Sequence, residues 1–88
     1  MEVVFLAKFN KDLDKISDTQ IKMQVIRIIE EIELAKKLSD LVNVKKLSGF
    51  KAAYRIKLGD YRIGFFFEND TIELARIVHR KDIYKVFP

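Results

Sequence analysis

The segment YRIKLGDYRIGFFF, residues 54–67, decides the fold of this 88-residue chain. Apolar side chains alternate with charged or small ones on both sides of Gly59-Asp60, and a period of two is typical of β-strands. Gly59-Asp60 is itself a two-residue turn signal. The segment therefore predicts an antiparallel β-hairpin.

A two-residue turn determines which residues of the two strands face each other. The predicted cross-strand pairs are Leu58 with Tyr61, Lys57 with Arg62, Ile56 with Ile63, and Arg55 with Gly64. The apolar pairs are expected to point towards helices, so Arg55, Lys57 and Arg62 share the opposite face. Like charges directly opposite each other are destabilising, on the order of several tenths of a kcal/mol, so their convergence favours a function over solubility alone. Gly64 beside Arg55 leaves a gap that a ligand could occupy.

The chain before the hairpin predicts one strand and two helices. Residues 3–7 are a short apolar run without helical period, which indicates a strand. Asn10 is a candidate N-cap for a short helix. Ser17 with Gln20 has the form of a capping box at the start of a longer helix.

The longer helix is amphipathic. We expect its apolar stripe to be buried, with help from Met23 and Ile26, and we expect the helix to end near Lys36-Lys37, whose charges suit a C-terminus. The stripe consists of Ile21, Val25, Ile28, Ile29 and Ile32.

The chain after the hairpin predicts a second turn at Asn69-Asp70 and a strand over residues 71–78. Residues 82–87 predict either a helical turn or a short extension. The order β-α-α-β-β-β thus predicts a single α+β domain, residues 1–88, with a two-helix hairpin packed on one face of a mainly antiparallel sheet.

Composition excludes several classes of protein. With 49% hydrophobic residues and seven Phe, the chain can form a core. The absence of Cys excludes a disulfide scaffold and a thiolate zinc site, and it fits a reducing cytoplasm. No segment approaches the roughly 20 apolar residues of a membrane span, and residues 1–4 lack the features of a secretory signal. We therefore expect a cytoplasmic protein that does not act at a membrane.

Positive charge is concentrated in the second half of the chain. From Lys45 onward, ten Lys or Arg stand against five Asp or Glu, whereas before Val44 there are seven against eight. This asymmetry indicates that one surface meets nucleic acid or another anionic partner.

A second basic group, His79-Arg80-Lys81, directly follows the last predicted strand. Pairing of that strand with the hairpin would bring its end beside Tyr61 and Arg62, so we expect His79 and Arg80 to reach the face that carries the hairpin cations. His79 is the single histidine, and histidine can exchange a proton near neutral pH. One histidine without convergent carboxylates is a poor ligand set, so neither a metal site nor a cofactor is predicted.

The order and spacing of these groups resemble the RelE/ParE superfamily of type II toxins. The likeness extends over essentially the whole chain and is carried by Lys46–Gly49, Tyr54–Leu58, Tyr61–Ile63 and Val78–Tyr84. RelE-like members are ribosome-dependent endoribonucleases (mRNA interferases) that cut mRNA in the ribosomal A site without a metal, and a cognate antitoxin neutralises them. The resemblance therefore implies a toxin that inhibits translation, with mRNA, the ribosomal A site and an antitoxin as partners.

The resemblance also implies roles for particular residues. The family places catalytic cations on the sheet face and a further basic residue after the last strand, and some members add a C-terminal tyrosine or a histidine. The corresponding positions here are Arg55, Lys57 and Arg62 for the sheet-face cations, Arg80 or Lys81 for the later basic residue, Tyr84 or Phe87 for the tyrosine, and His79 for the histidine. The glutamate base of certain relatives has no counterpart on this hairpin.

Cleavage of RNA through its own 2′-hydroxyl needs a base for that hydroxyl, stabilisation of the phosphorane and an acid for the 5′-oxygen. Clustered cations meet the second need, and they favour loss of a proton from Lys57, the candidate base. His79 or Tyr84 is the candidate acid, while Arg62 and Arg80 would hold the phosphate. The further residues predicted to bind RNA are Arg55, Lys51 and Lys81.

Two other functions compete with RNA cleavage. A ParE-like toxin would inhibit DNA gyrase by binding alone, and the same fold serves both activities. The basic hairpin with His79-Arg80 favours cleavage. A non-catalytic operator-binding subunit is disfavoured, because the long helix has a mixed polar side and not a basic one. In either toxin, an antitoxin segment that folds on binding is expected to dock beside the helices or along an exposed strand edge.

Overall fold

The structure, a computed structural model, describes all 88 residues and contains five strands and three helices. In chain order these are β1 (Glu2–Phe5), α1 (Ala7–Lys15), α2 (Thr19–Leu34), β2 (Val44–Lys46), β3 (Ala53–Leu58), β4 (Tyr61–Glu68), β5 (Thr71–His79) and α3 (Ile83–Val86). A single 3-10 turn, Leu38–Asp40, separates α2 from β2. No helix has the length and apolar character needed to cross a membrane.

The five strands form one sheet in the order β1-β5-β4-β3-β2. β1 runs parallel to β5, and every other neighbouring pair is antiparallel. Because α1 and α2 pack on one face of this sheet, the predicted α+β arrangement is confirmed. The structure adds the edge strand β2, and the segment after the last strand forms the one-turn helix α3.

Helix α1 begins earlier than predicted. Its N-cap is Leu6, which has an extended backbone and makes no side-chain cap, so Asn10 lies inside the helix and its prediction as the N-cap was wrong. The amide of Leu6 donates to the carbonyl oxygen of Leu74 at 3.0 Å. The chain therefore passes directly from pairing with β5 into α1, and sheet hydrogen bonding takes the place of a capping side chain.

Helix α2 begins one residue later than the predicted capping box. Oδ1 of Asp18, not the hydroxyl of Ser17, accepts hydrogen bonds from the amides of Gln20 at 2.9 Å and Ile21 at 3.4 Å. A carboxylate at this position satisfies two amides that lack helical partners and is favoured by the helix dipole.

Helix α2 ends at Leu34, before Lys36-Lys37. The amides of these two lysines donate to Oδ2 of Asp40 at 3.0 and 3.2 Å. Asp40 therefore stabilises a turn at Lys36-Lys37, where the sequence had predicted the last residues of the helix.

The main core lies between the helices and one face of the sheet, which we call the helix face. Its fully buried side chains include Phe9, Val25, Ile32, Ile63, Phe65, Ile72, Leu74 and Ile77. Met23 and Ile26, in contrast, are 61% and 58% exposed, so the prediction that they would be buried was wrong. The buried stripe of α2, centred on Val25 and Ile32, is narrower than the apolar pattern of its sequence.

The edge of β5 is completed by α1. β1 ends at Phe5, and beyond it the carboxylate of Asp12 accepts a hydrogen bond from the amide of Ile77 at 3.1 Å. The same carboxylate receives a forked hydrogen bond from Arg76, with distances of 2.7 and 3.1 Å. Hydrogen bonding to Asp12 raises the pKa of Arg76. This ion pair, the only one in the protein, fixes α1 against the strand.

The opposite face of the sheet, the second face, is partly covered by the C-terminal segment. Ile83 and Phe87 are buried there in a small cluster with Ala53 and Ala75. A Cβ atom at Gly64 would come within 2.5 Å of the Phe87 ring, so that ring occupies the space above the glycine. The prediction that Gly64 leaves a gap for a ligand was therefore wrong.

Candidate active site

The β3–β4 hairpin has the predicted register, with all four cross-strand pairs in place. Because Ile56 and Ile63 enter the core on the helix face, Arg55, Lys57 and Arg62 belong to the second face. β2 extends this group of cations by one, since its residue Lys45 pairs with Arg55.

These side chains surround a cleft of about 390 Å³, which we call the cationic cleft. It is lined by Asn43, Val44, Lys45, Arg55, Lys57, Arg62 and Tyr84. No carboxylate is among these residues, and the only ion pair in the protein, Arg76 with Asp12, lies elsewhere. The cleft therefore holds four positive charges that no acidic side chain neutralises.

The guanidinium of Arg62 is held in place by the hairpin turn. Its Nη1 donates to the carbonyl oxygens of Gly59 at 2.7 Å and Tyr61 at 2.8 Å. An arginine has five N–H donors, so those on Nε and Nη2 stay free for a ligand. These two hydrogen bonds also hold the Arg62 side chain in place although the like charge of Lys57 is its cross-strand neighbour.

Tyr84, on α3, forms one wall of the cleft and is 76% exposed. The guanidinium of Arg55 lies over its ring, 4.6 Å from the centroid, which is a cation–π distance. Hydrogen bonding to Arg55 and the positive charge of Arg55 lower the pKa of Tyr84, with smaller contributions from Lys45 and Arg62. Because the guanidinium lies over the ring, its positive charge favours the phenolate form of Tyr84.

His79 does not reach the cationic cleft. It pairs with Tyr61, and the two rings are 6.0 Å apart in an edge-on arrangement. Since Tyr61 packs at the margin of the main core, His79 lies on the helix face of the sheet. The prediction that it shares the face of Arg62 was therefore wrong.

A β-bulge explains the position of His79. Phe65 pairs with Leu74, but Gly64 pairs with Arg76, so Ala75 is an extra residue in β5. A shift of one residue moves every later side chain to the other face. The spacing of three between the core residues Leu74 and Ile77 is the sequence signal that could have revealed the bulge.

The other predicted basic residues lie outside the cleft lining. Arg80 is exposed, and its amide donates to the carbonyl oxygen of Asp60 at 2.8 Å, which places it next to the hairpin turn. Lys81 is exposed, with its amide donating to Nδ1 of His79. Lys51 is exposed in the loop before β3. Of the eight predicted site residues, the structure brings together Arg55, Lys57, Arg62 and Tyr84.

Sequence reasoning missed Lys45 and Asn43. Asn43 has a positive φ of 60°, and its carbonyl oxygen accepts a hydrogen bond from the amide of Lys57 at 3.0 Å. The three residues of β2 are too few to display a period, so only the Lys45-Lys46 pair close to the hairpin in sequence could have drawn attention to this edge.

The arrangement suits a phosphate group beside a proton-exchanging phenol. Forked guanidinium donors and an ammonium group can bind phosphate oxygens and stabilise charge that develops on them. No group of three or more His, Cys, Asp or Glu side chains is arranged so that it could hold a metal ion.

Comparisons with known proteins agree with this picture. The family described as "ParE toxin of type II toxin-antitoxin system, parDE" matches residues 3–84. Toxin RelE3 from Methanocaldococcus jannaschii is 42% identical over 89 residues, which cover the whole of both chains. A chain in the crystal structure of the RelB-RelE antitoxin-toxin complex from Methanococcus jannaschii is 38% identical, with a TM-score of 0.83 over 97% of this chain and 99% of that one. In the archaeal RelE-RelB complex from Pyrococcus horikoshii, a chain 20% identical shares the fold, with a TM-score of 0.71 and coverage of 90% and 93%.

Fold, cleft and relatives together define a class, the small toxins of type II toxin-antitoxin systems. The chain belongs to the RelE/ParE superfamily of these toxins and is RelE-like. The resemblance indicated by Tyr54–Leu58 and Val78–Tyr84 is thereby confirmed.

Proposed function

We propose that this toxin is a metal-independent, ribosome-dependent endoribonuclease that cleaves mRNA in the cytoplasm and so inhibits translation. The observation that carries the proposal is the cationic cleft, in which four basic side chains and Tyr84 meet without a carboxylate. A phosphodiester gains charge as it becomes a phosphorane, and preorganised cations bind that state more strongly than the starting RNA.

In the proposed reaction, the 2′-oxygen attacks the adjacent phosphorus and the bond from phosphorus to the 5′-oxygen breaks. The products are a 2′,3′-cyclic phosphate and a 5′-hydroxyl end. Lys57 in its neutral amine form accepts the proton of the 2′-hydroxyl and becomes an ammonium, and the Tyr84 phenol gives its proton to the departing 5′-oxygen. Arg55 and the free donors of Arg62 neutralise the phosphorane oxygens.

Tyr84 is the stronger candidate for the acid, ahead of His79. The phenol borders the cleft, and its lowered pKa makes it a better proton donor near neutral pH than an ordinary tyrosine. His79 lies on the other face of the sheet. The proposal therefore assigns proton transfer to Lys57 and Tyr84, and it assigns no catalytic step to His79.

The exposure of the site supports the proposed dependence on the ribosome. Tyr84 is largely exposed, so the protein alone neither buries the reacting phosphate nor aligns the attacking hydroxyl. Holding RNA in the reactive geometry can supply several orders of magnitude in rate. We propose that mRNA held in the ribosomal A site provides this alignment.

We also propose a cognate antitoxin as protein partner. Two of the relatives named above occur in complexes of toxin with antitoxin. The outer side of α2 exposes Met23, Ile26 and Leu34, which lie at helical spacing on one stripe, and an amphipathic segment of a partner could cover them. The edge strand β2 offers a second point of attachment.

Inhibition of DNA gyrase is the second candidate function. It is favoured by the description of the matching family, which names ParE toxins. The unneutralised cations of the cleft and the similarity to Toxin RelE3 favour RNA cleavage over it.

The deciding experiment maps mRNA ends by primer extension after incubation with the purified toxin, with and without translating ribosomes. We expect new 5′ ends within codons only when ribosomes are present. A parallel DNA supercoiling assay with gyrase provides the control. Inhibition of supercoiling without new mRNA ends would establish the second function in place of the first.

A further inference from the structure

The position of Tyr84 depends on α3, a helix too short to be stable without packing against the sheet. α3 spans four residues, Ile83–Val86, and a single helical turn is unstable without packing. Its two anchors are Ile83, fully buried, and Phe87, 5% exposed. Being four apart, these two side chains face the sheet together, and Tyr84 is left on the outer side with Arg55 as its neighbour.

The ring of Phe87 packs directly on Gly64. A Cβ there would lie 2.5 Å from Cγ and Cδ2 of Phe87 and 2.8 Å from Cδ1. These atoms include the base of the ring, so the ring cannot swing aside as the end of a flexible chain would. Phe66 supports the same ring, with centroids 5.1 Å apart.

Gly64 also occupies a particular place in the sheet. It lies directly between Arg55 of β3 and Arg76 of β5, in one row across the strands. Phe87 accordingly borders Arg55 on one side and Arg76 on the other. A side chain at Gly64 would therefore push the ring out of the row that holds Arg55, the partner of Tyr84.

We propose that Gly64 is a positioning residue: by leaving room for the Phe87 ring, it fixes α3 on the sheet and thereby sets Tyr84 over Arg55 in the cationic cleft. Strand geometry alone does not call for glycine here, since glycine weakens a strand interior and this one has no positive φ. The requirement comes from the C-terminal segment. The inference rests on the proposed function only in its consequence for cleavage, because the placement of Tyr84 can be measured without RNA.

The test uses the absorbance of ionised tyrosine during an alkaline titration. The chain has three Tyr and no Trp, so the signal is not obscured, and Tyr84→Phe identifies the contribution of Tyr84. In the wild type, Tyr84 is expected to ionise below the ordinary value of 10.0. In Gly64→Ala, its pKa is expected to rise towards that value because Arg55 no longer lies over the ring. An unchanged titration of Tyr84 in a folded Gly64→Ala protein overturns the proposal.

If Gly64→Ala does not fold, Phe87→Ala tests the same proposal, because it removes the Phe87 ring without adding a clash. It is expected to release Tyr84 in the same way, and adding Gly64→Ala to it should cause no further rise. Additive effects would show that Gly64 acts independently of Phe87, against the proposal. Ile72→Val, buried on the helix face, is the control for a general loss of stability and should leave the titration of Tyr84 unchanged.

Cleavage assays on the same variants separate the two proposals. Loss of mRNA cleavage in Gly64→Ala together with release of Tyr84 supports both. Release of Tyr84 in a protein that never cleaves RNA supports the positioning role and contradicts the proposed function. Cleavage by the wild type with Tyr84 unmoved in both variants supports the function and contradicts the positioning role.

Discussion

The two faces of this sheet are made by the same strands and obey different rules. On the helix face, alternate residues of β3 and β4 are apolar and buried, with Ile63 and Phe65 at 1% and 0% exposure. On the second face, the residues between them include Arg55, Lys57 and Arg62 around an open cleft. The helix face is apolar because its side chains are buried in the core. The second face, in contrast, holds like charges close together although they repel each other. The main core lies on the helix face, and we propose that the cationic cleft on the second face is retained for function.

The largest effect should come from the helix face. Phe65→Ala is expected to reduce the free energy of unfolding by about 3–5 kcal/mol, because it removes a fully buried ring and leaves a cavity. Urea denaturation followed by circular dichroism would measure this loss. The matched control is Phe66→Ala, which truncates the neighbouring ring on the second face, where it is only partly buried. Equal losses in the two variants would contradict the division between the faces.

On the second face, the effect should appear in activity. Arg62→Ala is expected to reduce ribosome-dependent mRNA cleavage by about 10²–10³-fold, the usual result of removing one preorganised charge donor. Primer extension would measure the rate, and a thermal melt should show that the variant stays folded. Lys57→Ala should also lower the rate.

Arg80→Ala is the matched arginine control. Arg80 follows β5 near the same turn but does not line the cleft, so its loss should lower cleavage much less than that of Arg62. Wild-type rates in both the Lys57 and the Arg62 variants, or an equal loss in the Arg80 variant, would exclude the cleft as the active site.

The role of Tyr84 predicts a pH dependence with a definite sign. As general acid it must be protonated, so cleavage should fall as pH rises through its lowered pKa. Tyr84→Phe should reduce the rate by about 10²-fold and remove that fall, because the titrating group is gone. Single-turnover rates at a series of pH values would show both effects. A rate that rises with pH through the same range, and loses that rise in Tyr84→Phe, would make the phenolate a base.

The hairpin was predictable from sequence because its register is a local property. Gly59-Asp60 fixes the pairing within a few residues, and the alternation on either side assigns each side chain to a face. The positions of Arg55, Lys57 and Arg62 therefore follow from counting along the two strands.

The remainder of the site depends on contacts that are distant in sequence. The bulge at Ala75 reverses the faces beyond it, and a straight count from the Asn69-Asp70 turn puts His79 on the wrong side. The packing of Phe87 on Gly64 brings together two segments that are distant in sequence, and neither segment carries a pattern that predicts this contact. Lys45 enters the cleft through a strand too short to show a pattern.

The smallest expected effect tests the comparison most directly, because it has the opposite sign. Lys57→Glu places a carboxylate opposite Arg62 in the same cross-strand pair, so it should stabilise the fold by about 0.5 kcal/mol while abolishing cleavage. Lys57→Gln, which only removes the repulsion, should gain less. Thermal melts at low and high salt would test the cause, since the gain should shrink when the charges are screened. If Lys57→Glu instead lowers stability, the cations of the second face are not held together against a cost, and the clustering of like charges loses its value as a sign of function. A gain in stability together with a loss of activity would show that this hairpin retains a less stable pair because the phosphodiester requires it.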